Sequence, residues 1–215
     1  MTFYAVIGDL VGSRRTDDRD AVQTALADAL REVDRRIPSV DGLAPTVGDE
    51  FQGLYPTLGQ ALRATLQVRL LLRPVVDTRY GVGLGDRTVL DADRTPPLQD
   101  GSAWWSARAA IDALGRPATR RRRTWFEPAE GVEPPCPPDV VNALLLCRDA
   151  LVDRIGPTAH PMLLAALDGA SQREVARAVG VSESAVSQQY ARGIGAVRDA
   201  QELLDAALGE ATAGR

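Results

Sequence analysis

The chain contains no lysine: all 25 of its Lys-or-Arg positions are arginine, and His160 is its single histidine. The missing lysine reads first as compositional bias, although an arginine fork suits a phosphate well. Cysteine is almost as scarce. Cys136 and Cys147 offer neither metal-ligand spacing nor a disulfide framework, so a reducing cytoplasm is the expected setting. No apolar run approaches the roughly twenty residues a membrane helix needs. Asp9 and Arg14 interrupt the only apolar stretch near the N-terminus, so neither a membrane span nor a secretory signal is expected. Net positive charge is lacking too. A balance of −4 argues against a generally basic nucleic-acid coat and leaves only a local basic patch open.

What is present suffices for a sizeable core: 45% of 215 residues are apolar, which fits one large domain or two small ones. Up to about residue 126 short apolar strands alternate with amphipathic helices, whereas from Asp139 onward only helical periodicity runs. Between them Pro128, Pro134, Pro135, Pro137 and Pro138 suit neither helix interior nor sheet. We therefore expect a domain over 1–127, a proline-rich linker over 128–138 and a helical domain over 139–215.

In the first part the pattern predicts a strand at 3–7, then a helix at 17–36 with Val22, Leu26, Leu30, Val33 and Ile37 on one face. A hairpin of 43–47 and 51–55 turns at Gly48-Asp49, and a helix at 58–72 is closed by Pro74. A second hairpin of 79–84 and 88–90 around Gly85-Asp86, a helix at 102–114 and a strand at 122–126 complete it. This βαββαβ order with a trailing helix and strand is that of an α+β, ferredoxin-like, polymerase-palm sheet with its helices on one face.

Two acidic strings, Ile7-Gly8-Asp9-Leu10 and Val47-Gly48-Asp49-Glu50-Phe51-Gln52, each sit at the end of such a strand. Neighbouring strands would bring both carboxylates to one sheet edge, where a hard divalent ion finds oxygen ligands and glycine lets backbone approach. The plainer reading is two Gly-Asp turns, which does not account for Glu50.

The residues also carry resemblances. Tyr4 to Arg14 resembles the first-strand motif of class III nucleotidyl cyclases, Thr46 to Phe51 their second metal aspartate and the signature of diguanylate cyclases, and Arg79 to Gly85 a later cyclase strand. Ala107-Arg108 is similar to the end of the cyclase helix that carries a transition-state arginine, which makes Arg108 the candidate catalytic residue. Nearly the whole chain is similar to the SatD family, through Ile7-Gly8-Asp9, the block from Gly48 to Gly53, Asp100 to Arg108 and a C-terminal helix-turn-helix.

The cyclase resemblance implies that Asp9, Asp49 and the Leu10 carbonyl hold magnesium, with two ions possible. It further implies that Val11, Gly12, Ser13 and Arg14, with Gly48 and Glu50, surround a nucleotide, Arg14 or Arg15 neutralising phosphate charge. It also has gaps. Pro45 stands where many cyclases have a base-selecting lysine, and Trp104 where they have an asparagine, so cyclisation is not expected. Trp104 and Trp105 could stack a base, but such a pair more often serves the core and a packing contact. The 120–123 arginine run reads as a solvated flank and His160 as structural.

In the helical part Ser171-Gln172-Arg173-Glu174 forms a capping box. Gly180-Val181-Ser182 is a turn whose serine caps the next helix. Residues 171–193 thus resemble the helix-turn-helix of sigma-factor and response-regulator proteins, with a generic helical hairpin as the alternative. Ser184, Ser187, Gln188 and Arg192 face outward as candidate DNA contacts.

The expected protein is a cytoplasmic, homodimeric transcription regulator in which a palm domain senses magnesium and a nucleotide and the helix-turn-helix binds DNA. The rivals are a two-metal enzyme acting on a nucleoside triphosphate and a ligand-free palm that only dimerises.

Overall fold

The structure, a computed structural model, describes residues 1–12, 18–119 and 121–208. The architecture is α+β. Strand β1 (Thr2–Val11) is the middle of a five-stranded sheet, flanked by β3 (Glu50–Tyr55) and β4 (Asp77–Asp86), both antiparallel to it. The order is completed by β2 (Ala44–Pro45) on one edge and β7 (Thr124–Pro128), parallel to β4, on the other. The β2-β3-β1-β4 core is the ferredoxin-like palm order expected from the sequence.

Alternation along β1 sends Tyr4, Val6 and Leu10 to one face and Ala5 and Ile7 to the other. On the first face lie α1 (Arg19–Arg36), opened by Asp18 accepting from the Ala21 amide at 2.9 Å, and α2 (Leu58–Leu72), opened by Thr57. Where helices on one face only were expected, α3 (Ser102–Leu114) covers the second, because β1 and β3 present apolar residues on both sides and α3 brings Ala103, Trp104, Ala107 and Ile111 to Ala5, Ile7 and Leu54.

That packing depends on β4. Gly81, Gly83 and Gly85 form a stripe facing α3, and a Cβ built on Gly83 would lie 2.2 Å from both the Ala103 carbonyl oxygen and the Ala107 amide nitrogen. Helix and strand backbones therefore meet with no side chain between them. The hairpin expected over 79–90 does not form, since β1 holds one edge of β4 out to Asp86 and β7 holds the other. Strand β5 (Thr88–Asp91) pairs instead with β6 (Leu98–Asp100), which the sequence reading missed.

Helix α4 (Pro138–Arg154) closes the β7 edge: Asn142 accepts from the Phe126 amide at 2.8 Å and donates to its carbonyl at 2.9 Å. The apolar positions Val140, Leu144, Leu145 and Val152 would predict one buried stripe on this helix, but the buried face differs. Val141, Leu145 and Val152 are inside with Asn142, Arg148 and Asp149, while Val140 is exposed. The charged pair is inside because it meets partners. Asp149 accepts from the Arg123 and Thr124 amides at 3.1 and 2.8 Å, and Arg148 donates to the Leu62 carbonyl and Thr124 hydroxyl. Beside them Arg69, also buried, reaches Asp77 at 3.1 Å and Asp153 at 2.6 Å. Burial pushes the Asp77 carboxyl up, but the Arg69 charge and the hydrogen bonds from Arg69 and Arg123 outweigh it and hold the group at about 2.

A second core joins Leu66 and Leu70 of α2 to α5 (His160–Leu167), α6 (Gln172–Val179), α7 (Glu183–Gln189) and α8 (Gly195–Leu208). Helix α2 thus walls both cores. The capping box at Ser171 and Glu174 is formed, Gly180 takes a left-handed φ of 74° at the end of α6, and Ser182 accepts from the Ala185 amide at 3.2 Å. A kinked segment, Tyr190–Ile194, with Gly193 at φ 148°, separates α7 from α8. Buried His160 bonds the Ile155 carbonyl through Nε2, the structural role expected of it. No helix among the described residues is long and apolar enough to cross a membrane.

Candidate functional site

The register of the sheet sets the chemistry. Asp9 continues the α3-facing row of Ala5 and Ile7, and its direct neighbours are Glu50 on β3 and Arg79 on β4. Asp49 lies one residue further, in the hairpin turn that Gly48 makes with φ 74°, and its carbonyl accepts from the Leu10 amide at 3.3 Å. From above, α3 contributes Arg108, Ile111 and Asp112, followed by Gly115 and Arg116. With Asp9, Glu50 and Arg79 these line a cleft of about 320 Å³.

Each carboxylate of the cleft floor has a resident guanidinium. Arg79 donates from Nε at 2.8 Å and from Nη2, both to Oδ2 of Asp9. Arg108 holds both oxygens of Glu50 at 2.8 Å in a fork. Burial raises the Asp9 pKa, Arg79 opposes this, and the negative charges of Asp49 and Glu50 push it further up. The hydrogen bond from Arg108 lowers that of Glu50. Among the described residues no group of three or more His, Cys, Asp or Glu side chains is gathered for a metal ion, since Asp9 is turned to Arg79 and Glu50 to Arg108. The donor set nevertheless fits magnesium. It is all oxygen, its carboxylates repel one another, and such an ion commonly takes one or two carboxylates and completes its shell with water and phosphate.

Of the residues singled out in the sequence, Asp9, Glu50 and Arg108 are brought together, with Asp49 and Leu10 adjoining. Exposed Val11 and Gly12, with φ 78° at the latter, lie at the end of β1 beside this edge, and Gly48 is in the turn. Ser13, Arg14 and Arg15 lie outside the described residues. Trp104 is buried against the sheet, while Trp105 is exposed and donates to Asp100 at 2.8 Å. Of the 120–123 run, Arg123 donates to Asp77 and Arg122 lies over Trp125. Sequence reasoning did not single out Arg79, Asp112 or Arg116 as site residues. The alternation that puts Gly81, Gly83 and Gly85 on one face of β4 also puts Arg79 there, a usable signal. Ser184, Ser187, Gln188 and Arg192 are exposed on α7 and the turn after it, 184, 187 and 188 at helix-face spacing.

Fold and site together define a palm-type α+β protein with a cleft of paired carboxylates and arginines beside its central strand. The chain belongs to the SatD family, whose model matches residues 3–117. No curated protein matches it. Among solved structures it is similar to a bacterial light-regulated adenylyl cyclase (TM-score 0.47, 9% identity, 58% of this chain and 74% of that one). It is also similar to the adenylyl cyclase CyaB from P. aeruginosa (0.41, 10%, 53% and 71%). A third likeness is to the guanylyl cyclase domain of the RhoGC fusion protein from the aquatic fungus Blastocladiella emersonii (0.42, 14%, 52% and 73%).

Proposed function

We propose that this protein is a cytoplasmic transcription regulator that binds a nucleotide with a divalent cation in the Asp9 cleft and binds DNA, as a homodimer, through α6 and α7. The observation that carries the reading is the juxtaposition of Asp9, Asp49 and Glu50 at the end of β1 under three arginines, in a cleft of about 320 Å³, a volume in the range of small-ligand sites. Asp9, Asp49 and the Leu10 carbonyl would hold magnesium, which when bound neutralises phosphate charge. The arginines bind and orient the phosphates, and Ile111 offers the apolar surface of the cleft. The DNA-binding part rests on the capping box, the left-handed Gly180 and the exposed Ser184, Ser187, Gln188 and Arg192. Helix α2 supplies a physical route between the two: its Arg69 is tied to Asp77, two residues before Arg79 on β4, and its Leu66 and Leu70 share a core with Val175 of α6 and Val186 of α7. Coupling further requires that the ligand distinguish two states.

Fluorescence anisotropy on duplexes selected from a random pool tests this. Gln188→Ala with Arg192→Ala should weaken specific binding by about 1–3 kcal/mol for each base-reading side chain removed, and nucleotide with magnesium should shift wild-type affinity about fivefold or more. Unchanged affinity in both comparisons refutes the reading. Arg108, lining the same cleft, favours a second reading, an enzyme turning over a nucleoside triphosphate. Product formed from labelled triphosphate would establish it. Pro45, which has no side-chain donor, and the buried Trp104 weigh against cyclisation.

A further inference from the structure

The cleft carries balanced charge: Asp9, Glu50 and Asp112 against Arg79, Arg108 and Arg116. A divalent cation arriving alone would leave these groups and the adjoining Asp49 carboxylate with a net positive charge. An ion that takes Oδ2 of Asp9 would also strand a guanidinium in a half-enclosed site, because Arg79 has both of its donating nitrogens on that oxygen and the Asp9 side chain is only 15% exposed. Displacing one partner of such a pair is costly unless another counter-charge replaces it. A polyphosphate is that counter-charge, and the guanidinium fork matches its oxygens.

Resting on the nucleotide reading above, we propose that Arg79 and Arg108 are resident counter-ions that occupy Asp9 and Glu50 until a cation displaces them. Once released, they take the phosphates of the incoming ligand, so metal and polyphosphate bind only as a unit. The arrangement disfavours the free cation without a closing lid. Arg79 is the principal element, because it donates directly to Asp9, a carboxylate assigned to the metal. Arg108 does the same for Glu50 from α3 and is the more exposed of the two, at 45% against 33%. Metal and phosphate are then linked reciprocally: each raises the affinity for the other by the same factor.

The test is calorimetric titration of the full chain with Mn²⁺ alone and with the preformed Mn²⁺–tripolyphosphate complex, for wild type, Arg79→Gln and Arg108→Gln. Wild type should bind the complex at least tenfold more tightly than the free ion. Arg79→Gln should reverse the preference, binding free Mn²⁺ about tenfold more tightly than wild type and the complex about tenfold more weakly. A pair that is merely structural would leave both affinities unchanged or weaken both, and either result overturns the proposal. Should Arg79→Gln fail to fold, Arg108→Gln makes the same comparison at Glu50, with a smaller change of the same signs expected and the same contrary results. Binding of nucleotide to wild type with no gain of free-metal affinity in the variants overturns the exchange and leaves the nucleotide reading standing. Failure of wild type and variants to bind ion, complex or nucleotide overturns both.

Discussion

Asp149→Ala should destabilise the protein by about 3–5 kcal/mol, the range for removing one member of a buried ionic network. Its side chain is 4% exposed, and its loss leaves the Arg123 and Thr124 amides without their acceptor at the start of β7. It also removes a counter-charge from Arg148, at 3.4 Å, and from Arg69, at 3.8 Å, both themselves buried. Burial already pulls the Arg148 guanidinium below its usual pKa, so this site has little tolerance for a missing anion. Urea unfolding checks the value, with Asp28→Ala as the reference. Asp28 pairs with Arg31 on the exposed side of α1, and its removal should cost under about 1 kcal/mol. A loss as small for Asp149 would show that the network does not join α4 to the sheet.

Gly83→Ala should cost about 3 kcal/mol, at the upper end of overpacking penalties. The added methyl would meet backbone atoms of α3 at 2.2 Å, and backbone in a helix cannot step aside as a side chain can. Relief requires α3 to lift from β4, which carries Arg108 away from Glu50. The same variant should therefore lose ligand-dependent stabilisation as well as stability. Gly156→Ala, where nothing lies within 4 Å, is the control and should be close to neutral in thermal unfolding. Equal behaviour of the two variants would contradict the close α3 packing.

What could be read from the residues depended on whether the signal was local. Helix α2 was legible at its observed bounds because Thr57, its apolar spacing and Pro74 all lie within one short stretch. The capping box at Ser171 and the Gly48 turn were legible for the same reason. Asp9 and Asp49 were legible as neighbours because each sits beside a glycine at the edge of a short apolar run. The partners that complete the site were not. Arg79 is 70 residues from Asp9, and only the strand register brings them together. Arg148 and Asp149 were not singled out in the sequence, since nothing in that helix announces that Leu62 and Thr124 wait opposite. The β5 and β6 pairing was missed because it is decided by competition: β1 and β7 already hold both edges of β4.

The central claim, that the Asp9 cleft holds a cation and a nucleotide, is tested most directly by thermal unfolding with each common nucleoside triphosphate, with and without magnesium, for wild type, Asp9→Asn and Asp49→Asn. A ligand at a hundred times its dissociation constant stabilises by about 2.7 kcal/mol, a rise of several degrees for a chain of this size. The account predicts a rise that requires magnesium, favours one base and vanishes in both variants. An unchanged midpoint with every nucleotide, or a rise that persists in Asp9→Asn, would contradict it.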